Sequence, residues 1–221
     1  MRAAHRTQEW EDLETTALEA AARGWRVFPL QVVGLAPAVR DWQTRATTDA
    51  ERIRRCWGAG AFGVGIVPCP SGLVVLDLAP PTGRLRPPPE WELPGVVDGS
   101  DALVVLAERH QAAYPTETYT VRTPFGGTHL YFTHPTGQCP PATPGPNSPL
   151  GWGIGLRTAG SYVAAAGSPT RWGRYTVVHD ARPAVLPDWL AELMKPPRST
   201  TAPEERREHA PARPRGRPLP G

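Results

Sequence analysis

Three segments carry residues whose types can do chemistry together: GLVVLDLAPPTG with Asp77, VRTPFGGTHLYF with His129, and GIGLRTAGSYVAAAGS with Arg157. A carboxylate at the end of an apolar run can hold a cation. A histidine after paired glycines can meet a phosphate, and a strand bearing an arginine can add positive charge beside both. In this order they can build a nucleotide site. Each residue also has a plainer reading. Asp77 can close a strand before Pro80, His129 can be a hydrogen-bonded structural histidine, and Arg122 and Arg157 can be strand-edge charges.

The elements that must position these residues follow from patterning. Gln8 to Arg23 places Trp10, Leu13, Ala17, Ala20 and Ala21 at helical spacing, with Gly24 where a helix-ending glycine belongs. WRVFPL (25–30) reads as a strand leaving a sheet at Pro29. Thr48 and Glu51 fit a capping box opening a helix through Trp57. The apolar runs 63–67 and 72–78, split by Pro68, Cys69, Pro70 and Ser71, read as a hairpin whose second strand delivers Asp77. The proline-rich stretch 80–95 reads as irregular. Asp98 or Ser100 can cap a helix reaching to about Tyr114. Strands are expected at 118–122 and 128–133, joined by Phe125, Gly126 and Gly127, and again at 154–157, 161–165 and 174–178.

The small residues Ala164 to Gly167 suggest close packing under a helix. HPTGQCPPATPGPNSP (134–149) reads as a surface loop, and Asp188 to Met194 as a last short helix. Tyr131, Phe132, Trp152, Tyr162 and Trp172 are expected to pack in the core or at its rim. The domain is expected to span 8–195, after an N-terminal extension at 1–7 and before a disordered Pro/Arg-rich tail at 196–221.

Composition narrows the class. The chain has 221 residues and 40% hydrophobic content, enough for one domain with its own core. MRAAHRTQEWEDLE lacks the apolar centre of a signal peptide, and no run approaches a membrane span, so a cytoplasmic, membrane-free protein is expected. Cys56, Cys69 and Cys139 are widely spaced and read as unpaired thiols in a reducing compartment. Net charge is +3, of which the arginines and glutamates after Ser199 supply +2, so a near-neutral body declares no polyanionic partner.

Taken together, ARGWRVFPL, ATTDAERIRRCW, FGVGIVPCPSGLVVLDLAP, VRTPFGGTHLYF, LRTAGSYVAAAGS, WGRYTV and LPDWL resemble, in order, the N-terminal domain of bifunctional DNA primase/polymerases. This is the prim-pol branch of the archaeo-eukaryotic primase superfamily. The resemblance implies an α/β (α+β) fold, a single domain built on a mixed sheet flanked by helices. It implies metal-dependent nucleotidyl transfer in replication of a plasmid, phage or integrated element, with nucleoside triphosphate and DNA as partners. Cofactors would be Mg2+ or Mn2+ if the site is active, held by an acid-x-acid motif and a third acid on a later strand.

Transferred by position, the first acid is Asp77, the second falls on Ala79 and the third on Gly155. Asp77 and His129 are then the catalytic candidates, with Asp77 also the metal ligand. Arg122, Gly126, Gly127, His129 and Arg157 are the nucleotide-binding candidates. One carboxylate of three cannot hold two divalent ions, so impaired catalysis is expected. The alternative is a non-catalytic nucleotide- or nucleic-acid-binding regulatory or assembly module. Unwinding would fall to a separate helicase or replication protein.

Overall fold

A computed structural model describes residues 2–32, 34–80, 86–134, 137, 139–143 and 148–195. Helix α1 runs Arg2–Ala22, starting earlier than its apolar spacing suggests, and buries Leu13, Ala17 and Ala20. Gly24 (φ +85°) ends it: its amide donates to the Ala21 carbonyl and that of Trp25 to the Ala20 carbonyl, the paired bonds of a left-handed helix stop. Strand β1 (Val27–Leu30) follows, then short helix α2 (Trp42–Arg45) and α3 (Ala50–Trp57). Asp49, rather than Thr48, caps α3, because its carboxylate accepts from two amides, Glu51 and Arg52, where a hydroxyl suits one.

Next come β2 (Gly63–Ile66), β3 (Leu73–Leu78) and α4 (Gly99–Arg109), capped by Asp98. Helix α4 stops well before Tyr114 because Gln111 turns left-handed (φ 51°), with the Ala112 amide bonded back to the Ala107 carbonyl. Strands β4 (Tyr119–Arg122), β5 (Thr128–Thr133), β6 (Ile154–Arg157) and β7 (Val163–Ala164) are followed by a small hairpin, β8 (Pro169–Thr170) and β9 (Gly173–Arg174). The described chain closes with β10 (Thr176–His179), β11 (Ala184–Val185) and α5 (Asp188–Leu193).

The larger sheet has the order β10-β4-β5-β3-β6, antiparallel throughout, with β11 added parallel to β5. The smaller sheet is β1-β2-β7, where Pro29 is tolerated because β1 is an edge strand. The expected hairpin of 63–67 with 72–78 is therefore not formed: β2 pairs with β1 and β7, while β3 pairs with β5 and β6. Both runs are buried on both faces, which removes the alternation that would reveal a partner.

Alternate residues of the larger sheet serve two cores. Val74, Leu76, Leu78, Leu130, Phe132, Ile154 and Leu156 pack against α4 and α5. Leu73, Val75, Tyr119, Val121 and Tyr131 face the smaller sheet with α1 and α3. The small-residue stretch does lie under a helix: a Cβ on Gly167 (φ +90°) would meet the Thr16 hydroxyl of α1 at 2.9 Å.

One expectation about the cysteines is overturned. Cys69 and Cys139 form a disulfide with a Cα–Cα distance of 5.6 Å, fastening the turn after β2 to the 134–149 segment. Their separation of 70 residues gave the sequence no spacing signal. Cys56 alone is free, and burial raises its thiol pKa. Among the described residues no helix is long and apolar enough to cross a membrane. The tail expected at 196–221 lies outside the described residues.

Candidate functional site

Register brings the candidates together. In the larger sheet Asp77 stands opposite His129 of β5 on one side and Gly155 of β6 on the other, so all three share one face. Arg157 is two residues beyond Gly155, paired with Val75, and therefore on the same face and diagonal to Asp77. Gly155 has no side chain to stand between them. The Arg157 guanidinium donates to Asp77 Oδ2 from Nε at 3.0 Å and from Nη2 at 2.6 Å. His129 Nε2 lies 3.5 Å from Oδ1. Both carboxylate oxygens thus face a nitrogen of the protein itself.

The histidine end of the cluster is buried. His129 is 5% exposed and lies between the rings of Tyr131 and Tyr175, with centroids at 6.4 and 5.7 Å. Burial acts most strongly on the Asp77 carboxyl and would raise its pKa. His129 and Arg157 overturn that, holding it well below the usual carboxylate range. Tyr175 is pushed up to about 12, first by burial and then by the charge of Asp77. Two buried polar atoms on this face, His129 Nδ1 and Tyr131 Oη, have no hydrogen-bond partner among the described residues.

Two hollows open from the cluster, and Asp77, His129, Arg157 and Tyr175 line both. The first, about 610 Å3, continues past Ser161, Tyr162 and Val163. The second, about 390 Å3, is bounded by Ala79, Thr123, Phe125 and Gly155. Ala79 and Gly155, the positions given by resemblance to two further acids, thus share one hollow with Asp77.

The donor set there does not fit a pair of hard divalent ions. Such ions need several anionic oxygens, and Asp77 is the one carboxylate in the described lining of either hollow. Among the described residues no group of three or more His, Cys, Asp or Glu is placed to hold a metal. The acids nearest in sequence are engaged or stand elsewhere. Asp98 caps α4, Asp101 accepts from the Val97 amide, and Glu90 and Glu92 lie exposed on and just after the 89–91 turn.

The remaining candidates are not brought to Asp77 in the same way. Arg122 pairs with Thr128, which pairs with Leu78, placing it on the opposite face; its Nη1 donates weakly to the Gly126 carbonyl at 3.4 Å. The amides of Gly126 and Gly127 are used inside their own turn, donating to the Thr123 carbonyl at 3.1 Å and hydroxyl at 3.0 Å. Gly127 is required by packing, since a Cβ there would lie 2.6 Å from the Leu78 carbonyl oxygen. Tyr175 and Tyr162 were not among the candidates. Tyr175 sits between two short strands, its amide and carbonyl tied to Ser168 and Gly167, where no alternation marks its direction.

The sequence model of one family, described as bifunctional DNA primase/polymerase, N-terminal, matches residues 17–189. No curated protein matches the chain.

Proposed function

Since the chain belongs to the bifunctional DNA primase/polymerase N-terminal family, we propose that it binds nucleoside triphosphate and DNA in replication of a plasmid, phage or integrated element, with its own nucleotidyl transfer impaired. One observation carries this reading: the Arg157 guanidinium rests on the single site carboxylate, Asp77, with two hydrogen bonds to Oδ2. A metal-dependent polymerase needs that carboxylate free and accompanied by others. Here a fixed cation neutralises it instead.

In this reading Arg157 is the anion-binding group. Nε and Nη2 are spent on Asp77, while no hydrogen bond from Nη1 is found among the described residues. The guanidinium lines both hollows, where a phosphate can meet it. His129 supports the pair from beneath. We take the domain to run from 8 to 195 and to work in the cytoplasm alongside a separate helicase or replication protein. In the alternative role, that of a regulatory or assembly module, the same site binds nucleotide and no transfer takes place.

Two assays decide between these roles and an active enzyme. Primer synthesis and extension with labelled nucleotides and Mg2+ or Mn2+ should give no product that depends on Asp77, when the native chain is compared with Asp77→Ala. A labelled triphosphate should bind the native chain, and Arg157→Ala should weaken that binding about tenfold or more. Extension lost in Asp77→Ala would restore the enzyme; failure to bind any triphosphate would remove the nucleotide role.

A further inference from the structure

Two aromatic rings stand in solvent beside the second hollow. Phe125, 44% exposed, tops the turn between β4 and β5, and Trp172, 56% exposed, tops the β8–β9 hairpin. They meet edge to face, with centroids 5.0 Å apart and planes at 68°. Neither tip is loosely held. The Trp172 amide donates to Thr170 Oγ1 at 3.1 Å, Thr170 Oγ1 donates to the Gly173 carbonyl at 2.9 Å, and the Arg171 guanidinium lies 3.8 Å above the Trp172 ring. Phe125 also forms part of the wall of the hollow that holds Asp77, His129 and Arg157.

Charge gives the surface a direction. The two segments that form it, YTVRTPFGG (119–127) and PTRWGRY (169–175), contain no acid, and the hairpin that carries Trp172 adds Arg171 and Arg174. Fixed, half-exposed rings with a guanidinium on one of them suit a ligand that offers a flat apolar face and an anionic backbone together. Unpaired bases do so; in a duplex those faces are buried against one another.

We propose that Phe125 and Trp172 form a stacking platform for unpaired bases of a single-stranded nucleic acid, whose backbone runs past Arg171 towards the second hollow. This rests on the nucleic-acid reading above and adds where the strand lies and in what form it binds. Stacking accepts any base, so the platform selects single-stranded form over sequence.

The test is anisotropy of a labelled mixed-sequence single strand, and of the duplex containing it, titrated with the full chain over a salt series. The single strand should bind at least tenfold more tightly than the duplex. Trp172→Ala should weaken it about tenfold or more and Phe125→Ala several-fold, while Trp172→Phe keeps most of the affinity. Affinity should fall with salt, less steeply in Arg171→Gln. A labelled-triphosphate titration of the Trp172 and Arg171 variants, whose side chains line neither hollow, should be unchanged, which also shows that they are folded and that their hollows are intact. Equal binding of duplex, or full affinity in Trp172→Ala, would overturn the platform. So would concentration-dependent self-association abolished by Trp172→Ala, since the rings would then serve a second copy of the chain. Loss of triphosphate binding with single-strand binding retained would instead count against the nucleotide reading alone.

Discussion

Strand β3 has two faces, and they end differently. On one, Val74, Leu76 and Leu78 continue apolar to the last residue beneath α4 and α5. On the other, Leu73 and Val75 give way to Asp77, and there the covering layer opens into the two hollows. The first face holds the sheet together. The second carries the buried polar atoms His129 Nδ1 and Tyr131 Oη together with the Asp77–Arg157 pair. A single strand thus supplies stability on one side and a ligand-sized space on the other, through alternation alone.

Leu76→Ala, on the closed face, should have the largest effect, about 2–5 kcal/mol by chemical denaturation, because the residue is fully buried. Triphosphate affinity of the folded protein should not change; a loss there would show that the faces are coupled. At the rim of the open face, Gly127→Ala should cost about 1–3 kcal/mol, because its Cβ would press on a backbone oxygen. Gly126→Ala has room and suffers only from its φ of +90°, about 1 kcal/mol in the same assay.

The ion pair comes next. Asp77→Asn should lower stability by about 1–2 kcal/mol at neutral pH, between the values for exposed and buried pairs. Because the folded carboxyl titrates below its ordinary range, its contribution is fully present above the unfolded value of about 3.9 and is lost as pH falls through the folded value. Unfolding midpoints followed from neutral to acid pH should therefore drop less below about pH 4 in Asp77→Asn than in the native chain. Arg122→Ala should have the smallest effect, within about 0.5 kcal/mol, with triphosphate affinity unchanged. An effect equal to that of Arg157→Ala would mean that the two faces share the ligand.

Most elements were legible because local chemistry marks them: the Gly24 stop, the Asp98 cap, the buried runs and the FGG turn. Pairing was less so. β2 and β3 are adjacent and equally apolar, and nothing in their residues says that they belong to different sheets. Asp77 and His129 were legible as candidates, but their meeting with Arg157 depends on register across three strands, and on a glycine at 155 that leaves the guanidinium a path. Trp172 looked like rim or core packing; only the short hairpin beneath it sets the ring in solvent.

The Cys69–Cys139 bond changes the topology of the chain around this pairing. It closes a covalent ring that contains Asp77 and His129, while Arg157 lies outside it. Along the backbone Asp77 and His129 are fifty-two residues apart; through the bridge they are eight residues from Cys69 and ten from Cys139. The cost of bringing two chain segments together rises with the length between them. The oxidised chain therefore begins its search with β3 and β5 already tethered near their correct register, and a ring of this size restricts the unfolded ensemble by about 4 kcal/mol in the chain-entropy view. The same bond shortens the way to Arg157, from eighty residues along the backbone to eight on one side of the bridge and eighteen on the other, so the third strand of the face is drawn in with the first two.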